Sequence, residues 1–154
     1  MKVGFISLGC SKNLVDTEMT IGLFKNNNFE IVNDVEKAEI IVINTCGFIE
    51  SAKQEAIDTI LEMAEYKETG KCKYLIVMGC LVQRYKDELE KAIPEVDLFI
   101  TIDEYNDLWN KIQKLVGVGF HTDPQKIEKV IEGGKDVSKY NRWRNKRREK
   151  LWYW

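Results

Sequence analysis

At 154 residues the chain is long enough for one α/β domain with a full core and too short for two large ones. Its 44% hydrophobic and 31% charged residues exclude a disordered chain. No apolar run approaches the roughly 20 residues that span a bilayer, and no secretory signal opens the sequence, so a cytoplasmic protein with no membrane partner is expected. The net charge of −2 is uneven: from Lys135 onward eight basic residues face two acidic ones, a net +6, which leaves −8 on the rest.

In chain order, Val3 to Leu8 reads as a buried strand. A helical pattern from about Asn13 to Lys25 offers Leu14, Met19, Ile21, Leu23 and Phe24 to an inward face, and Asn26-Asn27-Asn28 ends it. Phe29 to Val32 is a second, shorter strand. Ile40 to Asn44 is a third, apolar and β-branched as a central parallel strand should be. Ser51 to Lys67 has a helical period through Ala52, Ala56, Ile57, Ile60, Leu61 and Ala64. Tyr74 to Met78 is a fourth strand, Val82 to Ala92 a third helix, Val96 to Ile100 a fifth strand and Glu104 to Val116 a last helix. In that last helix Leu108, Trp109, Ile112 and Leu115 share one side. Such alternation predicts an α/β fold: an open, doubly wound, mostly parallel five-stranded sheet in the flavodoxin-like order 2-1-3-4-5, with helices on both faces. Residues 1–116 form this domain. Residues 117–154 are read as a linker and a basic, aromatic tail.

Three of the four cysteines fall at matching places in this scheme. Cys10 follows strand one, Cys46 strand three and Cys80 strand four, in the contexts Gly9-Cys10-Ser11, Thr45-Cys46-Gly47 and Gly79-Cys80-Leu81. Strands one, three and four are neighbours in the predicted order, so their carboxyl ends share the edge where open α/β sheets bind ligands. A glycine beside each cysteine allows a sharp turn and close approach of a bulky group. Helices starting after Cys10 and Cys80 aim their N-termini at the same edge, where they stabilise thiolates and anions. The competing reading is three inert buried cysteines. Cys72, between Lys71 and Lys73, is given no role.

Soft sulfur ligands favour iron–sulfur clusters, copper(I) or zinc. Structural zinc sites take a fourth protein ligand and use close pairs, whereas these cysteines lie roughly 35 residues apart, and the only histidine is His121. Three cysteines can hold a cubane cluster and leave one iron open, in keeping with thiolate ligation of such clusters.

Gly9-Cys10-Ser11-Lys12-Asn13-Leu14-Val15-Asp16-Thr17-Glu18, Asn44-Thr45-Cys46-Gly47-Phe48-Ile49 and Gly79-Cys80-Leu81-Val82-Gln83-Arg84-Tyr85 resemble the N-terminal domain of the radical methylthiotransferases. The likeness covers about the first 116 residues and includes Ile93-Pro94-Glu95-Val96-Asp97. It implies an auxiliary 4Fe-4S cluster held by Cys10, Cys46 and Cys80 and used in sulfur insertion. It also makes Asn13, Asn44 and Gln83 candidates for hydrogen bonds around that cluster, with helix capping or loop solvation as the alternative. Ser11-Lys12-Asn13 is similar to the branch that methylthiolates an aspartate of ribosomal protein S12, whereas the tRNA-modifying branch carries Gln-Met-Asn there.

In that family a second 4Fe-4S cluster and S-adenosylmethionine sit in a radical domain marked by Cys-x-x-x-Cys-x-x-Cys. No cysteine follows Cys80. That half is therefore expected to be missing, through a truncated or shifted reading frame, or to reside on a separate chain. This chain alone is then not competent for methylthiolation. Two rivals remain. One is a flavodoxin-like flavin or nucleotide binder, although Gly9 to Asn13 lacks a phosphate-cradling run of small residues. The other is nucleic-acid binding through Arg142, Trp143, Arg144, Arg147, Arg148, Trp152 and Tyr153 of the tail, against a solvated terminus.

Overall fold

The computed structural model describes residues 1–117. The tail reading, from Ser138 onward, and the boundary segment 118–137 lie outside the described residues.

Five strands, β1 (Lys2–Ser7), β2 (Glu30–Val32), β3 (Ile40–Thr45), β4 (Tyr74–Gly79) and β5 (Leu98–Ile100), form one sheet in the order β2-β1-β3-β4-β5. All four pairings are parallel, so the doubly wound expectation holds and the sheet is parallel throughout. Helices α1 (Ser11–Asn26), α2 (Glu50–Thr69), α3 (Cys80–Ala92) and α4 (Leu108–Val116) provide the crossovers and cover both faces.

The alternation of strand side chains builds two cores. On one face Ile6, Ile41, Ile43, Leu75 and Val77 pack against Ala56, Ile60 and Met63 of α2 and Leu81 and Leu89 of α3. On the other, Val3, Phe5, Ile40, Val42, Ile76 and Met78 meet Ile21 and Phe24 of α1 and Trp109 and Ile112 of α4. β3 is buried along its whole length, which is why its sequence is apolar without alternation. Phe24 anchors the second face, with edge-on ring contacts to Phe5, Phe29 and Trp109 at 5.1–5.5 Å.

Four sequence expectations need correction. The inward face of α1 is largely polar: Asn13, Thr17 and Thr20 are buried beside Ile21 and Phe24, while Met19 is 40% exposed. Thr20 Oγ1 donates to Asp16 O at 2.8 Å, and the bonds of Asn13 and Thr17 to the sheet edge are described below; together they make burial of those polar groups tolerable. On α2, Leu61 faces solvent and Thr59 and Met63 face the core. The third helix begins at Cys80 itself, not at Val82, and kinks at Tyr85. The last helix is divided: a 3-10 turn over Ile102–Asp107 precedes α4, because Glu104 closes a capping box on Thr101 at the start of that turn.

Candidate metal centre

The register of the sheet fixes how the three cysteine loops leave it. Ser7 is aligned with Asn44, Asn44 with Met78, and Thr45 with Gly79. Cys46 and Cys80 are thus the next residues after an aligned pair, and Cys10 lies three residues beyond the end of β1. All three stand at the carboxyl ends of adjacent strands. Cys72 lies before β4, at the opposite edge.

The loops are drawn together by Asn13 of α1. Its Nδ2 donates to Leu8 O at 2.8 Å, just before the Cys10 turn, and to Thr45 O at 2.9 Å, just before Cys46. Its Oδ1 lies 4.0 Å from the Cys80 sulfur, which donates to it. Beneath, Asn44 Nδ2 donates to Asn13 O at 2.7 Å and to Thr17 Oγ1 at 3.1 Å, and Thr17 Oγ1 reaches Ser7 Oγ at 3.0 Å. Thr45 Oγ1 ties β3 to Met78 O of β4. One polar network therefore underlies all three loops. Asn44 Oδ1 remains a buried acceptor with no donor among the described residues.

Two glycines are conformationally required. Gly9 has φ +92, and a Cβ there would lie 2.5 Å from Cys46 Cβ and 3.1 Å from its sulfur. Gly79 has φ +109, and a Cβ would strike the Asn44 side chain and the Thr45 backbone. Both are positions only glycine fills without strain, and both exist because neighbouring loops approach so closely at this edge.

The thiols differ in environment. Cys10 is exposed and occupies the N-cap of α1 without a side-chain cap hydrogen bond. The Asn13 and then the Lys12 backbone N–H groups lower its pKa. Cys80 is half-buried, and its pKa is raised first by desolvation and then by the negative charge of Cys46, with Cys10 and Asp16 adding to it and Lys12 opposing. Cys46 is buried and backs onto Gly9. Beyond Cys46 the loop turns outward, leaving Phe48 73% and Ile49 65% exposed. Arg84 donates to Gly47 O at 3.3 Å and lies over the Phe48 ring.

Among the described residues no three Cys, His, Asp or Glu side chains are arranged as a ready cage for a metal ion. What the edge offers is a donor set of three soft sulfurs, two of them close enough to Cys80 to shift its titration, on loops whose glycines leave room for a ligand. That chemistry fits an iron–sulfur cluster better than a hard cation.

Of the candidate hydrogen-bonding residues, Asn13 and Asn44 belong to the network. Gln83 does not: its Oε1 accepts from Ile102 N and Asp103 N, and its Nε2 donates to Asp103 Oδ2, so it caps the 3-10 turn. Thr17, Ser7 and Arg84 were not singled out from the sequence. A threonine at the position one turn after Asn13 on α1 was the available signal, since a buried helical hydroxyl needs a partner.

The model of the uncharacterized protein family UPF0004 matches residues 2–101. Among curated relatives, proteins named ribosomal protein uS12 methylthiotransferase RimO stand out. The one from Alkaliphilus oremlandii is 76% identical over 116 residues, 75% of this chain and 26% of that protein. The one from Caldicellulosiruptor saccharolyticus is 61% identical over 115 residues, 75% and 26% of the two chains. The one from Clostridium botulinum is 52% identical over 138 residues, 90% of this chain and 27% of that protein. The chain thus spans about a quarter of the length of the curated relatives it matches, and the resemblance to methylthiotransferases read from the cysteine motifs is borne out. With the family model covering more than half of its 154 residues, the chain belongs to the UPF0004 family.

Proposed function

We propose that this domain carries the auxiliary 4Fe-4S cluster of a methylthiotransferase that modifies an aspartate of ribosomal protein S12, with Cys10, Cys46 and Cys80 as its ligands. The observation that carries the reading is the place of these cysteines: the carboxyl ends of three adjacent parallel strands, above one shared hydrogen-bond network. The relatives' names supply the S12 substrate. S-adenosylmethionine and a second 4Fe-4S cluster belong to the radical-generating part, on the remainder of a longer protein or on a separate chain.

When bound, the cluster would supply an open iron at which sulfur is held for transfer. The chain's own residues do the rest. The first amides of α1 draw the Cys10 thiol below its usual value, which favours the thiolate that a cluster iron would bind. Cys46 is held against Gly9, and a bound cluster would offset the negative charge that raises the Cys80 pKa. Asn13 keeps the three loops at fixed separation. The exposed Phe48 and Ile49 form an apolar lip beside Cys46, in keeping with a rim that works against another protein surface.

Anaerobic iron and sulfide analysis of the reconstituted chain tests this. Cys10→Ala, Cys46→Ala and Cys80→Ala should each lose most of the bound iron and the charge-transfer absorption, whereas Cys72→Ala should keep both. Full iron content in any two of the first three variants would overturn the ligand assignment. Resolved flavin bands in the purified protein would favour the flavodoxin-like alternative instead.

A further inference from the structure

The pole opposite the cysteines, where the parallel strands begin, carries a second feature. Lys2 of β1, Lys37 of the 3-10 turn Val35–Lys37, Lys67 at the end of α2, Lys71, and Lys73 ahead of β4 line an open basin of about 590 Å³, with Glu39 as its one carboxylate. Five ammonium groups to one carboxylate reverses the balance of residues 1–117, in which 20 acidic residues outnumber 13 basic ones.

The basin is not neutralised from within. Glu39 is engaged by the Lys2 backbone N–H at 2.9 Å and by Lys73 at 3.3 Å. Lys67 is committed to Asp97 at 2.6 Å and to Glu95 O. Lys37 pairs with Asp34 at 3.7 Å, but both side chains are largely exposed, and such a pair is worth little in water. The Lys2 and Lys71 ammonium groups have no hydrogen-bond or ionic partner among the described residues. The basin therefore presents three available positive charges, backed by two whose ion pairs hold its walls in shape.

The form of the basin decides the class of ligand. A single small anion is usually enclosed by backbone N–H groups or an arginine fork, and the basin is open and its cationic groups are all lysines. Separate ammonium point charges on an open surface match a row of phosphates. We propose that this basin docks the phosphate backbone of RNA. The choice of RNA among polyanions rests on the function proposed above, because a ribosomal protein substrate is embedded in RNA. A six-residue strand spans about 20 Å, so RNA bound at this pole leaves the cysteine edge free to face its own partner.

The test uses the full chain with Lys2→Gln, Lys37→Gln and Lys71→Gln combined, which spares the ion pairs of Lys67 and Lys73. Binding of a short labelled RNA is followed by fluorescence anisotropy between about 50 and 200 mM salt. The triple variant should bind at least about tenfold more weakly at low salt, and the slope of log affinity against log salt should fall by about 2 for single-stranded RNA. Its circular dichroism, melting temperature and iron content should match the parent. A parallel variant of the tail, Arg142→Gln with Arg144→Gln, Arg147→Gln and Arg148→Gln, should retain the basin's share of the slope. Unchanged affinity and slope in the triple variant, or binding lost only in the tail variant, would overturn the proposal. So would displacement of the RNA by inorganic phosphate at micromolar concentration, which would make this a small-anion site. The three cysteine variants should bind RNA normally, so failure of the cluster assignment and failure of this one are read separately.

Discussion

The side-chain oxygen of Asn13 lies 4.0 Å from the sulfur of Cys80, while the nitrogen of the same amide holds the carbonyls of Leu8 and Thr45. One side chain on α1 thereby touches all three loops that carry the candidate ligands. Neither group of the amide can be exchanged for the other, because two carbonyls need donors and the thiol needs an acceptor.

Asn13→Ala removes two buried hydrogen bonds and leaves Leu8 O and Thr45 O without their donor. The expected loss is about 2–3 kcal/mol in urea unfolding of the apo chain, the cost of unpaired buried acceptors. Asn13→Asp should be worse at neutral pH, since a carboxylate would face both carbonyls. Either variant should also take up less iron, and in Asn13→Ala, where its acceptor is gone, Cys80 should be more reactive to alkylation. An Asn13→Asp chain as stable as the parent would show that the network does not fasten the loops.

The three positive-φ glycines separate space from strain. Gly9→Ala puts a methyl 2.5 Å from Cys46 Cβ at φ +92, and Gly79→Ala drives one into the Asn44 side chain and the Thr45 backbone. Each should cost more than about 2 kcal/mol, since strain and collision add. Gly117→Ala, at φ +71 with nothing among the described residues within 4 Å, should cost only about 1 kcal/mol for the left-handed backbone. Chemical denaturation of the three variants checks the order, and equal losses at all three sites would remove the argument from close approach.

The strand ends were legible because five short apolar runs alternate with helical patterns, and an open parallel sheet of that pattern has few topologies. Placing Cys10, Cys46 and Cys80 at one edge followed from strand order alone. The network beneath them was not legible. Apolar periodicity assigns Leu14 and Met19 of α1 to the core, yet the helix is turned so that Asn13, Thr17 and Thr20 face the sheet. Hydrophobic pattern cannot anticipate that, because burial of those residues depends on partners 27 to 58 positions away. Gln83 failed for a related reason: it lies three residues after Cys80 in sequence, but its hydrogen bonds go to the turn after β5.

Thiol reactivity should rank the cysteines by environment. In the apo chain Cys10, exposed and drawn to lower pKa by the α1 amides, should alkylate fastest and at the lowest pH. Cys80 should require higher pH, because desolvation and then the Cys46 charge raise its pKa. Cys72, buried, donating to Tyr74 O at 3.4 Å and pushed up to about 11 by burial, should react only on unfolding. Peptide mass spectrometry after pulses of iodoacetamide at increasing pH gives the order directly. Cluster loading should abolish the reactivity of Cys10 and Cys80 and leave Cys72 as it was. Protection of Cys72 alone would relocate the metal to the wrong edge.

Glu104 gives the fold a defined response to acid. Its carboxylate accepts from the Thr101 backbone N–H at 2.9 Å and meets Lys86 and Lys111 at 3.3 and 3.1 Å. The Thr101 amide first, then the two lysines, bring its pKa down to about 2. A depressed folded-state value means the unfolded chain binds the proton more tightly. The contribution to stability is therefore complete above the ordinary carboxylate pKa near ~4.3 and is lost as pH falls toward 2. The site is partly open to solvent, so screening reduces the effect to about 1–2 kcal/mol at neutral pH. Glu104→Gln should lose that much at pH 7 and should match the parent near pH 2, in urea unfolding at each pH. A difference that persists unchanged into acid would mean that the capping bonds act through shape and not through charge.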